Sequence, residues 1–145
     1  MAKSYRLSRS RGLDLARVLL VDDDVTSRLT LQTVLEAGGY QVDAAASAAE
    51  AVGKLDEREY ELVLTDLRME SPEAGLKVLA HARMMDYKPA TALVTTYQDS
   101  RRRNHKDLST VLIEPEDLPG LLSRVADLVS ERATRKVERE LRHIN

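Results

Sequence analysis

A chain of 145 residues has the usual size of a single domain, so the sequence indicates one compact core. The absence of cysteine excludes disulfides, thiolate metal sites and cysteine nucleophiles, and a formal net charge of -2 excludes a general attraction to nucleic acid or to an anionic membrane. The first residues lack the apolar core of a secretory signal and no later run is long enough to span a bilayer, so we expect a soluble, cytoplasmic domain.

Short aliphatic runs alternate along the chain with segments whose apolar residues recur at helical spacing. This alternation is typical of a parallel sheet that is covered by helices on both faces. Gly38 and Gly39 supply a stop signal for the first helix, and Ser47 and Glu50 have the spacing of a capping box at the start of the second. Strands are predicted at 17–21, 40–44, 62–65, 92–94 and 111–113, and helices at 26–37, from 48 onward, at 75–85 and from 118 to beyond 130.

Both ends of the chain are polar and differ from the alternating centre. We assign residues 1–15 to a basic, flexible tail, 16–131 to the folded domain and 132–145 to a charged helical extension. The basic residues of the tail indicate a disordered segment rather than a nucleic-acid-binding arm. A thin apolar stripe in the extension, at 133, 137, 141 and 144, fits either a solvated helix or a coiled coil, and we expect a monomer or a weak homodimer.

Polar side chains stand directly after three of the predicted strands. Asp22 and Asp23 follow the first strand, Asp66 the third and Thr95 the fourth. The carboxyl ends of parallel strands meet at one edge of a sheet, so we expect these side chains to lie together. Crowded carboxylates repel one another, and a hard divalent cation such as Mg²⁺ removes that repulsion and bridges to phosphate oxygens. The pattern predicts magnesium-dependent phosphoryl chemistry with Asp66 as the nucleophile.

One aspartate after a strand is usually a helix cap or a turn former, but three motifs on separate strands are more specific. They are Leu-Val-Asp-Asp-Asp at 20–24, Leu-Thr-Asp-Leu-Arg-Met at 64–69 and Val-Thr-Thr-Tyr at 94–97. The first also faintly resembles the nucleophile motif of haloacid-dehalogenase-type phosphatases, in which Asp22 is the nucleophile. It lacks that motif's glycine, and the short chain leaves little room for a cap domain.

Taken together, these motifs resemble the receiver domains of bacterial two-component response regulators, over about residues 16–131. The resemblance implies a flavodoxin-like, doubly wound sheet of five parallel strands in the order 2-1-3-4-5. It also implies a phosphoryl group that comes from a histidine kinase or a histidine phosphotransfer protein. On this view the protein is not an enzyme in the usual sense, since it catalyses only its own phosphorylation and dephosphorylation.

The resemblance also implies roles for individual residues. Asp66 is the implied phosphoacceptor, and Thr95 is the implied contact to a phosphoryl oxygen. The implied ligands of Mg²⁺ are the side chains of Asp22, Asp23 and Asp66 and the backbone carbonyl of Arg68.

Three departures from the family pattern concern the fifth predicted strand and the segment before it. The family ends this strand with Lys-Pro, whose lysine contacts the phosphoryl group, whereas this chain has Glu114 and Pro115. Val111 stands where many receivers have the aromatic residue that moves on activation, and the segment before it is short and basic at 101–106. The chemistry of the site is therefore expected to be more complete than its read-out.

The sequence leaves two functions from different classes open besides the phosphatase. The favoured one is a stand-alone receiver that is phosphorylated on Asp66 and signals by protein contact to a downstream partner, without nucleic acid or membrane. The alternative is a receiver-like interaction module that acts without phosphorylation, which Glu114 and Val111 favour. Identification of the phosphorylated aspartate separates the three hypotheses. It is Asp66 in a receiver and Asp22 in a phosphatase, whereas the interaction module has none.

Overall fold

The structure is a computed structural model and describes residues 16–67, 69–71, 73–94, 111–113 and 118–144. Five parallel strands form one sheet in the order β2-β1-β3-β4-β5, which confirms the predicted flavodoxin-like order. The strands are β1 (Arg17–Val21), β2 (Gln41–Ala45), β3 (Leu62–Asp66), β4 (Ala90–Val94) and β5 (Val111–Ile113), and the helices are α1 (Val25–Ala37), α2 (Ala48–Glu57), α3 (Ala74–Arg83) and α4 (Leu118–Ile144).

Each central strand is buried on both sides because its alternate residues enter two different apolar clusters. In β1, Val18 and Leu20 pack in the cluster that contains the buried residues of α1 and α4, whereas Leu19 and Val21 pack in the cluster of α2 and α3. A strand that must fill two cores has no polar face, which explains the uninterrupted aliphatic runs in the sequence.

Local hydrogen bonds shift the ends of several elements by one or two residues from the predicted bounds. Helix α1 begins at Val25 rather than at 26, because Asp24 is its N-cap and accepts a bond from the N–H of Ser27. Strand β2 begins one residue late because the N–H of Tyr40 still donates to the carbonyl of Leu35 in α1. Helix α3 ends at Arg83 rather than at 85.

The capping box predicted for α2 is confirmed in one half. The Ser47 hydroxyl accepts a hydrogen bond from the N–H of Glu50 at 3.1 Å. The Glu50 carboxylate, however, accepts from the N–H of Ala46 at 2.8 Å rather than from Ser47. The predicted stop after α1 is also present, since Gly39 has a φ of 103°, which favours glycine.

Helix α4 is continuous over 27 residues and crosses the boundary predicted between 131 and 132. Its first half packs on the sheet through Leu121, Val125 and Leu128, and up to residue 143 the last buried side chain is that of Arg132. Beyond this point the stripe residues Val137 and Leu141 are 52% and 55% exposed. No helix in the part of the chain that the structure describes combines the length and the hydropathy of a membrane span.

Candidate functional site

Asp22 is fixed at the carboxyl end of β1 by three hydrogen bonds. Its N–H donates to the carbonyl of Ala45, which continues the pairing of β1 with β2. One oxygen of its carboxylate accepts from the N–H of Asp24 at 2.9 Å, and its backbone carbonyl accepts from a guanidinium N–H of Arg28 at 2.8 Å. Asp22 is only 2% exposed, and these hydrogen bonds give its buried polar groups partners and hold the residue in place.

The three consecutive aspartates have different surroundings. Asp24 is used as the N-cap of α1, where its carboxylate accepts from the N–H of Ser27 at 2.8 Å. Asp23 is exposed and lies between the buried Asp22 and this cap. The turn therefore directs Asp22 and Asp23 to the sheet edge, while Asp24 stabilises the helix that follows.

Asp66 is the last residue of β3, and the backbone around it is closely packed. It is paired in register with Val94 of β4, and the N–H of the following Leu67 donates to the carbonyl of Val94 at 3.0 Å. On the other side α3 approaches so closely that a Cβ on Gly75 would lie 2.8 Å from the carbonyl oxygen of Asp66. Only glycine at 75 permits this contact without a shift of the backbone.

The structure brings together Asp22, Asp23 and Asp66, each with one carboxylate oxygen within 4.8 Å of the others. One of the three is buried, one is half-buried and one is exposed, so the cluster is open to solvent on one side. Three hard oxygen donors at this spacing fit Mg²⁺, which prefers carboxylate oxygens and retains several waters. The predicted roles of these residues remain predictions, as does the binding of a metal.

Three other predicted site residues, Arg68, Thr95 and Glu114, lie outside the residues that the structure describes. Sequence reasoning missed Arg28, whose guanidinium bonds the backbone of Asp22 from the second turn of α1. The sequence pattern could not have indicated this contact, because a long side chain makes it to a backbone carbonyl and neither helical nor strand periodicity marks such a pair.

Comparisons with known proteins identify a family that this chain resembles in sequence and in fold. The family model described as response regulator receiver domain matches residues 18–110. A transcriptional regulatory protein, the CpxR homolog of Haemophilus influenzae, is 35% identical over 88 residues, which are 61% of this chain and 38% of that protein. The chain therefore spans well under half the length of this relative.

Solved structures give the same result. The response regulator protein TrrA of Thermotoga maritima, solved in complex with Mg²⁺ and BeF, is 28% identical, with a TM-score of 0.66 over 77% of this chain and 97% of that one. A response regulator receiver protein of Sinorhizobium medicae is 24% identical, with a TM-score of 0.69 over 80% and 95% of the two chains. Its likeness supports the fold, and the family match extends over more than half of the sequence. The chain belongs to the response regulator receiver domain family.

Proposed function

We propose that this domain accepts a phosphoryl group on Asp66 with the help of a Mg²⁺ ion held by Asp22 and Asp23. The observation that carries the proposal is the cluster of the three carboxylates, whose oxygens lie within 4.8 Å of one another at the carboxyl edge of the sheet. A second support is TrrA, which belongs to the same family and was solved with Mg²⁺ and a beryllium fluoride.

The chain's own residues supply the nucleophile and the geometry of the transfer. A carboxylate oxygen of Asp66 forms a bond to phosphorus as the bond from phosphorus to the donor's histidine nitrogen breaks, and the imidazole leaves with the electron pair and takes up a proton. Mg²⁺, when bound, neutralises the charge of the phosphoryl oxygens and of the acidic cluster. Asp22 contributes preorganisation, because the N–H of Asp24 and the guanidinium of Arg28 already hold it.

The direct test of this function is labelling by the small phosphodonor phosphoramidate, followed by an intact-mass measurement. We expect one added phosphoryl group in the presence of Mg²⁺ and none after the ion is removed. Asp66→Asn abolishes the labelling because the amide is not a nucleophile. Asp24→Asn is the matched control, since asparagine is as good a helix cap as aspartate and Asp24 is not in the acidic cluster.

Two results would contradict the proposal. Undiminished labelling of Asp66→Asn would exclude Asp66 as the acceptor. If labelling and turnover of phosphate esters were instead lost only in Asp22→Asn, the phosphatase hypothesis would replace the receiver hypothesis.

A second candidate function is an interaction module that works without phosphorylation, and the specific observation that favours it is Glu114 at the usual lysine position. A carboxylate there repels a phosphoryl group, whereas a lysine attracts it. A folded protein that takes no label, with or without bound Mg²⁺, would favour this module. Signalling by a stand-alone domain, and its kinase or phosphotransfer partner, stay predictions, since the matched relative is a longer regulator.

A further inference from the structure

A groove of about 480 Å³ lies at the end of the sheet opposite to the acidic cluster. One wall is formed by the C-terminal end of α3 and the loop before β4, with Arg83 and Lys88, and the other by α4, with Arg135 and Arg139. Strands of five residues separate the groove from the acidic cluster by about 17 Å. Nothing in the proposed phosphorylation of Asp66 uses this groove.

The groove concentrates positive charge in a chain whose net charge is -2. Among the residues that the structure describes, four cationic side chains line it, and one carboxylate, that of Glu131, opposes them. Within the described ranges, no salt bridge joins Arg83, Arg135 or Arg139 to a carboxylate. Arginines that face one another without counter-charges repel, and a bound anion relieves this repulsion.

The walls of the groove are held in place before any ligand binds. Arg132 of α4 is only 7% exposed and donates to the carbonyls of Tyr87 at 2.6 Å and Lys88 at 3.1 Å, which fixes α4 against the loop. The ammonium of Lys88 donates to the carbonyl of Arg83 at 3.1 Å. Lys88 has a φ of 47°, a conformation that a residue with a side chain adopts only when its surroundings impose it.

The arrangement of the cations limits the ligand that fits. Arg135 and Arg139 are four residues apart on one helix, so their side chains start about 6 Å apart on the same face. Guanidinium groups pair with phosphate through two parallel hydrogen bonds, and a ligand that reaches both walls must carry several charges. The volume is within the usual range of small-molecule sites, and Leu128 and Pro89 add an apolar part to the lining.

We infer that this groove binds a small polyphosphate-bearing molecule of nucleotide size, with Arg83, Arg135 and Arg139 as the anion-binding residues. Inorganic triphosphate and ATP both carry a polyphosphate group, and they distinguish a site for a free polyphosphate from a site for a nucleotide. ATP binds more tightly than triphosphate only if the apolar part of the lining contacts the nucleoside. A peptide rich in carboxylates is a different class of ligand and serves as an alternative outcome.

The test is a calorimetric titration of the full chain with inorganic triphosphate and with ATP in Mg²⁺-free buffer, so that the acidic cluster cannot bind either through the ion. We expect saturable one-to-one binding. Arg135→Gln/Arg139→Gln weakens it about tenfold or more, because two charged hydrogen-bond donors are lost. Glu131→Gln tightens it. In amide spectra, we expect the largest shifts at Lys88, Ala90 and Thr91, which line the groove.

The matched control is Lys136→Gln/Arg142→Gln, which removes the same charge from exposed positions of the same helix that do not line the groove. It leaves the affinity within about twofold. Absence of saturable binding would overturn the inference, and so would equal losses in the two double variants, which would show bulk charge attraction. Tighter binding of hexaglutamate than of triphosphate would also overturn it, in favour of an acidic peptide.

Discussion

At the residue scale, two glycines in helices illustrate how the site constrains the sequence. Gly75 is in α3, where alanine normally increases stability, yet a Cβ there would lie 2.8 Å from the carbonyl oxygen of Asp66. Gly53 in α2 is exposed, and a Cβ there would have no atom within 4 Å. The same substitution is therefore expected to have opposite effects at the two positions.

We predict that Gly75→Ala lowers the free energy of unfolding by about 1–3 kcal/mol, because the backbone of β3 or α3 must shift to admit the methyl group. Gly53→Ala raises it by about 1 kcal/mol through helix propensity alone. Urea denaturation of both variants measures the two changes. If Gly75→Ala were as stable as Gly53→Ala, α3 could not lie as close to the carbonyl of Asp66 as it does in the structure.

At the scale of elements, the sequence predicted each of the nine helices and strands that the structure describes, and every bound that it gave lies within about two residues of the observed one. Apolar periodicity carries this information because alternate residues of the central strands β1, β3 and β4 enter apolar clusters on opposite faces of the sheet, whereas a helix buries one side only. The exact ends were not predictable, since they depend on single hydrogen bonds such as that of Tyr40 to α1. The strand order came from the family resemblance and not from periodicity, which does not determine which strands are neighbours.

The acidic part of the candidate site was also predictable from the sequence. Three aspartates after two strands were expected to converge, and the structure places their carboxylates together. Contacts made by long cationic side chains to distant backbone carbonyls were missed, namely those of Arg28 and Arg132. Such a side chain leaves no periodic signal, because its partner is a carbonyl that every residue carries.

A hydrogen bond between elements makes the protein's stability depend on pH. Tyr87, in the loop before β4, donates its hydroxyl to the carbonyl of Leu55 in α2. Burial, which is the largest cause, and the carboxylates of Glu59 and Asp56 together raise the pKa of Tyr87 from 10.0 to about 12. The stability linked to the protonated hydroxyl is fully present below pH 10, the value in the unfolded chain, and is lost as the pH rises through the folded value.

We therefore predict that the free energy of unfolding falls more steeply with pH in the native protein than in Tyr87→Phe, over the range from pH 10.0 to about 12. The variant is less stable at neutral pH because the carbonyl of Leu55 loses its donor, and the difference narrows in alkali. Denaturation curves at several pH values measure both slopes. Parallel slopes would show that the pKa of the Tyr87 hydroxyl is not higher in the folded state than in the unfolded chain.

At the scale of the whole molecule, α4 has two parts with different roles. Up to Arg132 it packs on the sheet and closes the loop before β4, whereas from Ala133 to Glu138 its side chains are exposed. The predicted boundary between 131 and 132 thus separates Arg132 from the domain to which it donates two hydrogen bonds. A boundary drawn on stability would lie one or two residues later.

Truncation tests this division. We predict that removal of residues 134–145 leaves one cooperative unfolding transition, within about 1 kcal/mol of the full chain, because little apolar surface is uncovered. Arg132→Ala in the full chain costs about 2 kcal/mol, since the carbonyls of Tyr87 and Lys88 lose a charged donor. Arg135→Ala, an exposed position on the same helix, is the control and costs much less.

The oligomeric state decides what the exposed half of α4 does. Val137 and Leu141 are too exposed to stabilise the monomer, so a loss of stability on truncation larger than that of Arg132→Ala would have to come from contacts between chains. Sedimentation of the full and truncated chains measures this directly. A dimer that becomes a monomer on truncation would reassign residues 134–145 as a coiled coil, since the stripe then buries itself against a second copy. A monomer in both proteins, with equal stability, would leave the sheet and Arg132 as the parts of the molecule that hold α4 in place.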